Sequence, residues 1–513
     1  MDLATALSWT AERYPARRAV GGPAPMTFAA WDAHVNRLAR ALASLGVRRG
    51  DRVALSLVGG EPLASLHLAA QKLGAVSVPL STRFGAAELG YCLSDAEPVL
   101  YVTDDDSAER ADQAMREATG VVRRDVDEIA RLAADQVDHD LPQRPSESDV
   151  SVMLYTSGTT GRPKGVPRSH RAEHAAASAH LIQTQHRPGE VTLGVMPLFH
   201  TMGLRTLLAS ILAAGTWVPQ ARFDADESVE LIRREGIGAL YLVPTIFWSL
   251  AGTGRLGSLP SLSRLAYAGA AMAPALAAEL ADAVRPDAFV NHFGSTEIYT
   301  FTIGPDSAAK PGCAGRAGIY SRVRLVSPEP GASPHDLVAG GEQGQVCASM
   351  ESPEAFAGYW RRPDADAKAI RDGWYFTGDL GTYDEDGDLW VSGRVDDMIN
   401  SGGENLYPDE IEAALLTCPA IADVCVVGLP DERWGSAVTA FVVPADGLTP
   451  AEAVERALTY ARGGSGLPSL KRPKRVVAIS AVPRSAVGKT LRRTLVAGEY
   501  EALAETSAES PRG

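Results

Sequence analysis

The segment Tyr155-Thr156-Ser157-Gly158-Thr159-Thr160-Gly161-Arg162-Pro163-Lys164-Gly165 gathers four aliphatic hydroxyls, three glycines and one lysine directly after the apolar run Val150–Tyr155. A strand that opens into such a loop is suited to phosphate. Glycine backbones can turn several N–H groups inward as an anion-binding nest, hydroxyls add donors, and Lys164 brings a positive charge to a polyphosphate. The same composition would suit a flexible linker, but a fixed order over eleven positions argues against one. The spacing is not G-x-x-x-x-G-K-[ST], and Gly488-Lys489-Thr490 lacks the upstream glycine, so no Walker-type loop is predicted.

Further segments recur in a set order: Met196-Pro197-Leu198-Phe199-His200, Phe293-Gly294-Ser295-Thr296-Glu297, Tyr375-Phe376-Thr377-Gly378-Asp379-Leu380, Gly393-Arg394-Val395-Asp396-Asp397, Ser401-Gly402-Gly403-Glu404-Asn405, and Pro483 through Gly488-Lys489. With the hydroxyl-rich loop they resemble the ANL superfamily of adenylate-forming enzymes over nearly the whole chain. Arg394-Val395-Asp396-Asp397-Met398-Ile399, Arg433-Trp434-Gly435 and Lys471-Arg472-Pro473-Lys474-Arg475 narrow the resemblance to the 4-chlorobenzoate–CoA ligases within the acyl-CoA synthetases.

That resemblance implies an α/β fold with a large N-terminal domain of several subdomains and a smaller mobile α+β domain, and an enzyme using ATP, Mg²⁺ and coenzyme A. A carboxylate attacking the α-phosphate of ATP brings anion to anion, with charge accumulating on the equatorial oxygens. By resemblance Glu297 is the Mg²⁺ ligand and Thr296 a donor to the α-phosphate. Lys489 bridges the acyl carboxylate and the phosphate, and His200 borders the carboxylate and moves aside for the thiol. Thr156, Ser157, Gly158, Thr159, Thr160, Lys164, Gly269, Phe293, Gly294, Asp379 and Arg394 surround ATP or AMP. Phe293 faces adenine, and Asp379 accepts from the ribose hydroxyls with Arg394 beside it. Taken singly, Glu297 could be a solvated loop carboxylate, Phe293 a core ring, Asp379 a turn residue and Lys489 an exposed surface lysine.

One lysine cannot stay between carboxylate and phosphate while a thiol approaches the same carbonyl. The resemblance therefore implies rotation of the small domain about a hinge at Asp396. Family members often carry Lys there, and the chlorobenzoate ligases share the Asp. After rotation Gly402 and Gly403 would line the pantetheine tunnel, Trp434 would stack near the CoA nucleotide, and Arg472 with Lys474 would bind its phosphates. The basic run Lys471–Arg475 would otherwise suit nucleic acid or nuclear targeting, and it could also dock an acidic carrier protein.

The pocket-forming stretch Pro197-Leu198-Phe199-His200-Thr201-Met202-Gly203 has no carboxylate to pair with a substrate ammonium, which disfavours an α-amino acid. Met202, His292, Tyr299 and Thr300 fall by resemblance where an aryl ring would lie, His292 and Thr300 suiting a hydroxyl or amino substituent. Each could equally be a packing residue. Three functions stay open: an aryl-CoA ligase, a ligase for a short aliphatic, alicyclic or dicarboxylic acid, and an adenylating enzyme that loads a carrier protein.

The elements that must position these residues follow from periodicity. A helix is predicted over Thr27–Leu45, a strand over Arg52–Val58, a helix over Glu61–Leu73 and a strand over Ala75–Leu80. Strand-like runs follow at Pro98–Val102, Val150–Tyr155, Ala239–Val243, Arg264–Tyr267 and Ala288–Asn291, a βαβ grain. Beyond Arg394 come a helix over Asp409–Leu416, strands near Val424–Val427 and Val438–Val443, a helix over Ala451–Arg462 and a strand at Arg475–Ile479. The expected division is residues 1–394, a hinge at 395–396, and a mobile domain at 397–513, with a frayed tail from Glu501. Asp384–Asp388 reads as a hairpin turn, since its glycine is misplaced for a calcium loop.

The 513 residues are 45% hydrophobic and carry a net charge of −14, enough apolar material for more than one core and a poor match to nucleic acid or an anionic membrane. Five scattered cysteines form no C-x-x-C pair, and no apolar run is long enough to span a bilayer. A soluble cytoplasmic enzyme, monomeric or homodimeric, acting on small molecules is the expectation.

Overall fold

The computed structural model describes residues 2–116, 118, 120–156, 162–401, 404–431, 434–484 and 490–507. The chain forms two compact units. The first takes residues 1–324, 347–375 and 387–389, and the second takes 325–346, 376–386 and 390–513. The larger fold is α/β, as expected.

Two sheets organise the first unit. One has six strands in the order Val122–Asp125, Leu100–Thr103, Arg52–Ser56, Val76–Pro79, Val150–Thr156, Lys164–Ser169, parallel except for the last. The other has nine, and its six central strands from Ala288–Phe293 to Arg18–Val20 are parallel. Parallel strands need crossovers, supplied here by amphipathic or fully apolar helices. Helices Phe28–Ser44, Glu61–Leu73 and Thr201–Leu212 join one hydrophobic cluster with Val53 and Leu55 of the first sheet and Val20 and Trp217 of the second. Thr201–Leu212 is buried along almost its whole length, Arg205 included. Gly203 explains how this helix fits, because a Cβ there would lie 2.2 Å from the carbonyl oxygen of Pro197.

The second unit holds a four-stranded sheet ordered Ile421–Asp431, Gly435–Pro444, Arg475–Ala478, Ala504–Ser507, with a hairpin of Ile399–Ser401 and Glu404–Leu406. Helices Pro408–Leu415 and Pro450–Gly463 cover one face of the sheet, whose other face packs Phe441 against Tyr500 and Leu495. The helix Pro450–Gly463 begins with a capping box in which Thr449 and Glu452 satisfy each other's backbone N–H groups.

The predicted helices and strands lie within one or two residues of the observed ones in most cases. The expected fraying of the tail is incorrect for residues 504–507. Ala504–Ser507 pairs antiparallel with Arg475–Ala478 and satisfies an edge that would otherwise expose its backbone groups. A short polar segment carries no apolar alternation, so only the waiting edge reveals it as a strand. Asp384–Asp388 is the turn between strands Trp374–Tyr383 and Leu389–Arg394, and the Asp386 N–H donates to Asp384 Oδ1 at 3.0 Å. All five cysteines are buried and free. No helix among the described residues is long and apolar enough to cross a membrane.

Candidate active site

The hydroxyl-rich loop is held at both ends by one hairpin. Thr156, the last residue of strand Val150–Thr156, is the register partner of Lys164, the first of Lys164–Ser169. Ser157, Gly158, Thr159 and Thr160, between them, lie outside the described residues. Lys164 is half-buried, its Nζ 4.2 Å from the centre of the Tyr359 ring. Burial lowers its pKa, and the Glu297 carboxylate works against that shift. Lysine, phenol and carboxylate thus form one group, tied by the Tyr359 hydroxyl donating to Glu297 Oε1 at 2.7 Å.

Glu297 is buried, unlike a solvated loop carboxylate. Its backbone is fixed by local and distant bonds. Ser295 Oγ accepts from the Glu297 N–H at 3.2 Å, while the Arg168 guanidinium donates to the carbonyls of Thr296 and Glu297 at 3.1 and 3.2 Å. Arg168 is itself fully buried, ion-paired with Glu173, and stacked 3.6 Å from the Tyr299 ring. Gly294 permits the tight turn that follows Phe293, since a Cβ there would come within 2.0 Å of the Tyr299 carbonyl oxygen. Phe293 meets Phe301 edge-on at 5.2 Å. Gly269 follows strand Arg264–Ala268 with φ +88°.

His200 is the N-cap of helix Thr201–Leu212, its Nδ1 accepting from the Met202 N–H at 3.3 Å. Desolvation and then nearby Arg205 lower its pKa to about 4, so the ring is neutral at pH 7. Met202, His292, Tyr299 and Thr300 are all buried. His292 Nε2 lies 2.9 Å from Thr300 Oγ1 and 2.6 Å from a terminal nitrogen of Arg205.

In the second unit Arg394 donates to Asp379 Oδ1 at 2.6 Å and to the Thr377 carbonyl at 3.3 Å, bringing two predicted nucleotide-binding residues together. Asp396 is exposed in the short turn Val395–Asp397. Trp434 and Lys474 are adjacent, Lys474 Nζ lying 5.0 Å from the indole ring. Two residues of the basic run serve other ends, Lys471 pairing with Glu410 and Arg475 with Glu505. Arg472 donates to the Leu467 carbonyl and Lys474 to that of Ser469. Gly402, Gly403 and Lys489 lie outside the described residues.

Residues 7–360 match the AMP-binding enzyme family, and residues 410–489 match the AMP-binding enzyme C-terminal domain. The chain belongs to the AMP-binding enzyme family. Among its relatives in this family, a long-chain-fatty-acid–CoA ligase of Mycobacterium tuberculosis is 34% identical over 488 residues, 93% of each chain. A 4-chlorobenzoate–CoA ligase of an Arthrobacter species is 31% identical over 508 residues, 95% of this chain and 94% of that one. The crystal structure of ATP-bound MatB from Rhodopseudomonas palustris superposes with a TM-score of 0.87 at 28% identity, covering 97% of this chain and 99% of the other. The protein is therefore an ATP-dependent acid–CoA ligase of the adenylate-forming superfamily.

Tyr359, Arg168 and Arg205 are the residues that motif reading of the AMP-binding family misses. Arg205 does leave a sequence signal, as the lone charged residue in Thr201–Leu212. Tyr359 and Arg168 acquire meaning only through their distant contacts with Glu297.

Proposed function

We propose that this ligase activates an aromatic, benzoate-like acid, forming acyl-AMP and pyrophosphate and then transferring the acyl group to CoA with release of AMP. The observation carrying the aromatic class is a buried set of rings around Arg205, on the helix that His200 caps. His180 and His292 are stacked with planes 10° apart and centroids at 6.0 Å, and Tyr241 lies 4.7 Å from His180 and 5.7 Å from His292. Such surfaces favour a flat substrate over a flexible chain.

In this reading Lys164 and the hydroxyl-rich loop bind the polyphosphate, Thr296 donates to the α-phosphate, and neutral His200 borders the reacting carboxylate. Phe293, Gly269 and Gly294 contact the nucleotide, and the Asp379–Arg394 pair engages the ribose. Glu297 is suited to Mg²⁺, because Tyr359 takes one carboxylate oxygen and leaves the other for a hard cation. The ion would neutralise polyphosphate charge. Lys489 supports adenylation. Residues 397–513 then turn about 395–396, with Asp396 as hinge, so that Gly402, Gly403, Trp434, Arg472 and Lys474 receive CoA. The closeness of Trp434 and Lys474 supports a site for a nucleotide base and phosphate.

A long aliphatic acid is the second reading, favoured by the 34% identity to a fatty-acid ligase. ATP-dependent pyrophosphate release and CoA-thioester formation with benzoates, hexanoate and palmitate separates the two. Turnover of the aliphatic acids with none of the benzoates would reject the aromatic class. Acyl-AMP accumulating in the presence of CoA would reject CoA as acceptor.

A further inference from the structure

Arg205 stands five residues beyond His200 on the same helix, ~7.5 Å along its axis at the standard rise. The two groups are also linked electrostatically, since Arg205 helps to lower the His200 pKa. Arg205 is 2% exposed, and its neighbours His180, His292, Thr300 and Glu354 are no more accessible. A guanidinium so deep ordinarily pairs with a carboxylate. Here its hydrogen bonds go to neutral groups, His292 Nε2 at 2.6 Å and the Tyr241 hydroxyl at 3.4 Å, and it faces the Tyr299 ring at 4.9 Å.

Arginine can only donate, so a ring nitrogen of His292 must accept, Nε2 at 2.6 Å being nearer the Arg205 nitrogen than Nδ1 at 3.2 Å, and this requires a neutral imidazole. Burial, reinforced by Arg205 and His180, holds the His292 pKa well below its usual value in agreement. Glu354 is the acid that Arg205 influences, yet burial pushes its carboxyl upward, towards the neutral form. Arg205 Nε, both ring nitrogens of His180 and both carboxyl oxygens of Glu354 have no hydrogen-bond partner among the described residues. Fully buried polar atoms with unused capacity around Arg205, the Nε donor among them, form a built polar site, since a purely structural network would satisfy its members.

We propose that Arg205, oriented by His292 beside Thr300, is the specificity-determining group that receives an oxygen-bearing substituent of the acid at the end remote from the reacting carboxylate. This rests on the acid lying between His200 and the buried rings. Size alone discriminates weakly in an apolar pocket, whereas unpaired buried donors strongly penalise a substrate that lacks the matching acceptor. The site therefore selects 3- or 4-hydroxybenzoate over the methylbenzoates of similar shape.

The test is pyrophosphate release with ATP, comparing kcat/KM for 3- and 4-hydroxybenzoate against 3- and 4-methylbenzoate, and for adipate against hexanoate. The native enzyme should favour the better hydroxy acid over its methyl counterpart by at least tenfold. Arg205→Met should reduce that ratio at least tenfold, and Thr300→Val should reduce it about threefold. A native ratio near one, or a ratio unmoved by Arg205→Met, overturns the proposal. If Arg205→Met does not fold, as judged by its melting curve, Arg205→Lys and Thr300→Val decide by the same ratio. If no benzoate is used but hexanoate is, the aromatic reading fails by itself. The adipate-to-hexanoate ratio and its response to Arg205→Met then judge Arg205 separately.

Discussion

The hydroxyl of Tyr359 donates to Glu297 Oε1 at 2.7 Å across 62 residues of chain, and the same ring lies under the Lys164 ammonium. One phenol thereby orients the carboxylate proposed to hold Mg²⁺ and the lysine proposed to meet polyphosphate. Replacing Tyr359 by Phe keeps the ring and removes the hydrogen bond. A hydrogen bond to a charged group contributes about 1.5–3 kcal/mol, so kcat/KM for ATP in pyrophosphate release should fall roughly tenfold to a hundredfold. Titrations of ATP and Mg²⁺ measure this; unchanged dependence on both would separate Tyr359 from the metal site.

Arg168 fixes the carbonyls of Thr296 and Glu297 from a fully buried position. Arg168→Met strands the Glu173 carboxylate, and breaking a buried pair costs about 3–5 kcal/mol. Thermal unfolding should show a clear drop, partly recovered in the Arg168→Met, Glu173→Gln double variant. Equal melting temperatures for the single and double variants would mean that the pair is not coupled.

The two half-reactions should separate by residue. Lys489→Ala should slow pyrophosphate release by about 10²–10³-fold while sparing thioester formation from preformed acyl-AMP. Trp434→Ala should raise KM for CoA and leave pyrophosphate release nearly intact. Rapid-quench measurement of each half-reaction checks both, and equal losses in the two steps would count against alternation of the small domain.

Glu412 carries a pH signature. Burial raises its pKa to about 7 despite Arg492, which also contacts Asp397 and Asp409. The folded state then holds this proton more tightly than the unfolded chain. The stability Glu412 contributes is present below about pH 4.5 and declines as pH rises towards about 7. Glu412→Gln cannot titrate, so its stability relative to the native enzyme should improve between pH 5 and pH 7.5 in denaturant melts, with those pH values about spanning the window. A difference independent of pH would contradict the shift.

The sequence by itself determined the βαβ grain, the order of the family motifs along the chain, and an adenylate-forming enzyme, and it motivated the proposal of a phosphate-binding loop at Ser157–Gly161. Those features are local: apolar periodicity records which face of an element is buried, and loop chemistry is written in consecutive residues. Only the tertiary structure decided that Glu297 is buried against Tyr359, that Arg168 braces the same segment, and that Arg205 meets His292 across 87 residues. It also turned Ala504–Ser507 into a strand, because a polar segment gains its partner from an edge formed elsewhere. Hydrogen bonds and charge pairing depend on distances of a few ångströms between elements, and no spacing along the chain encodes them.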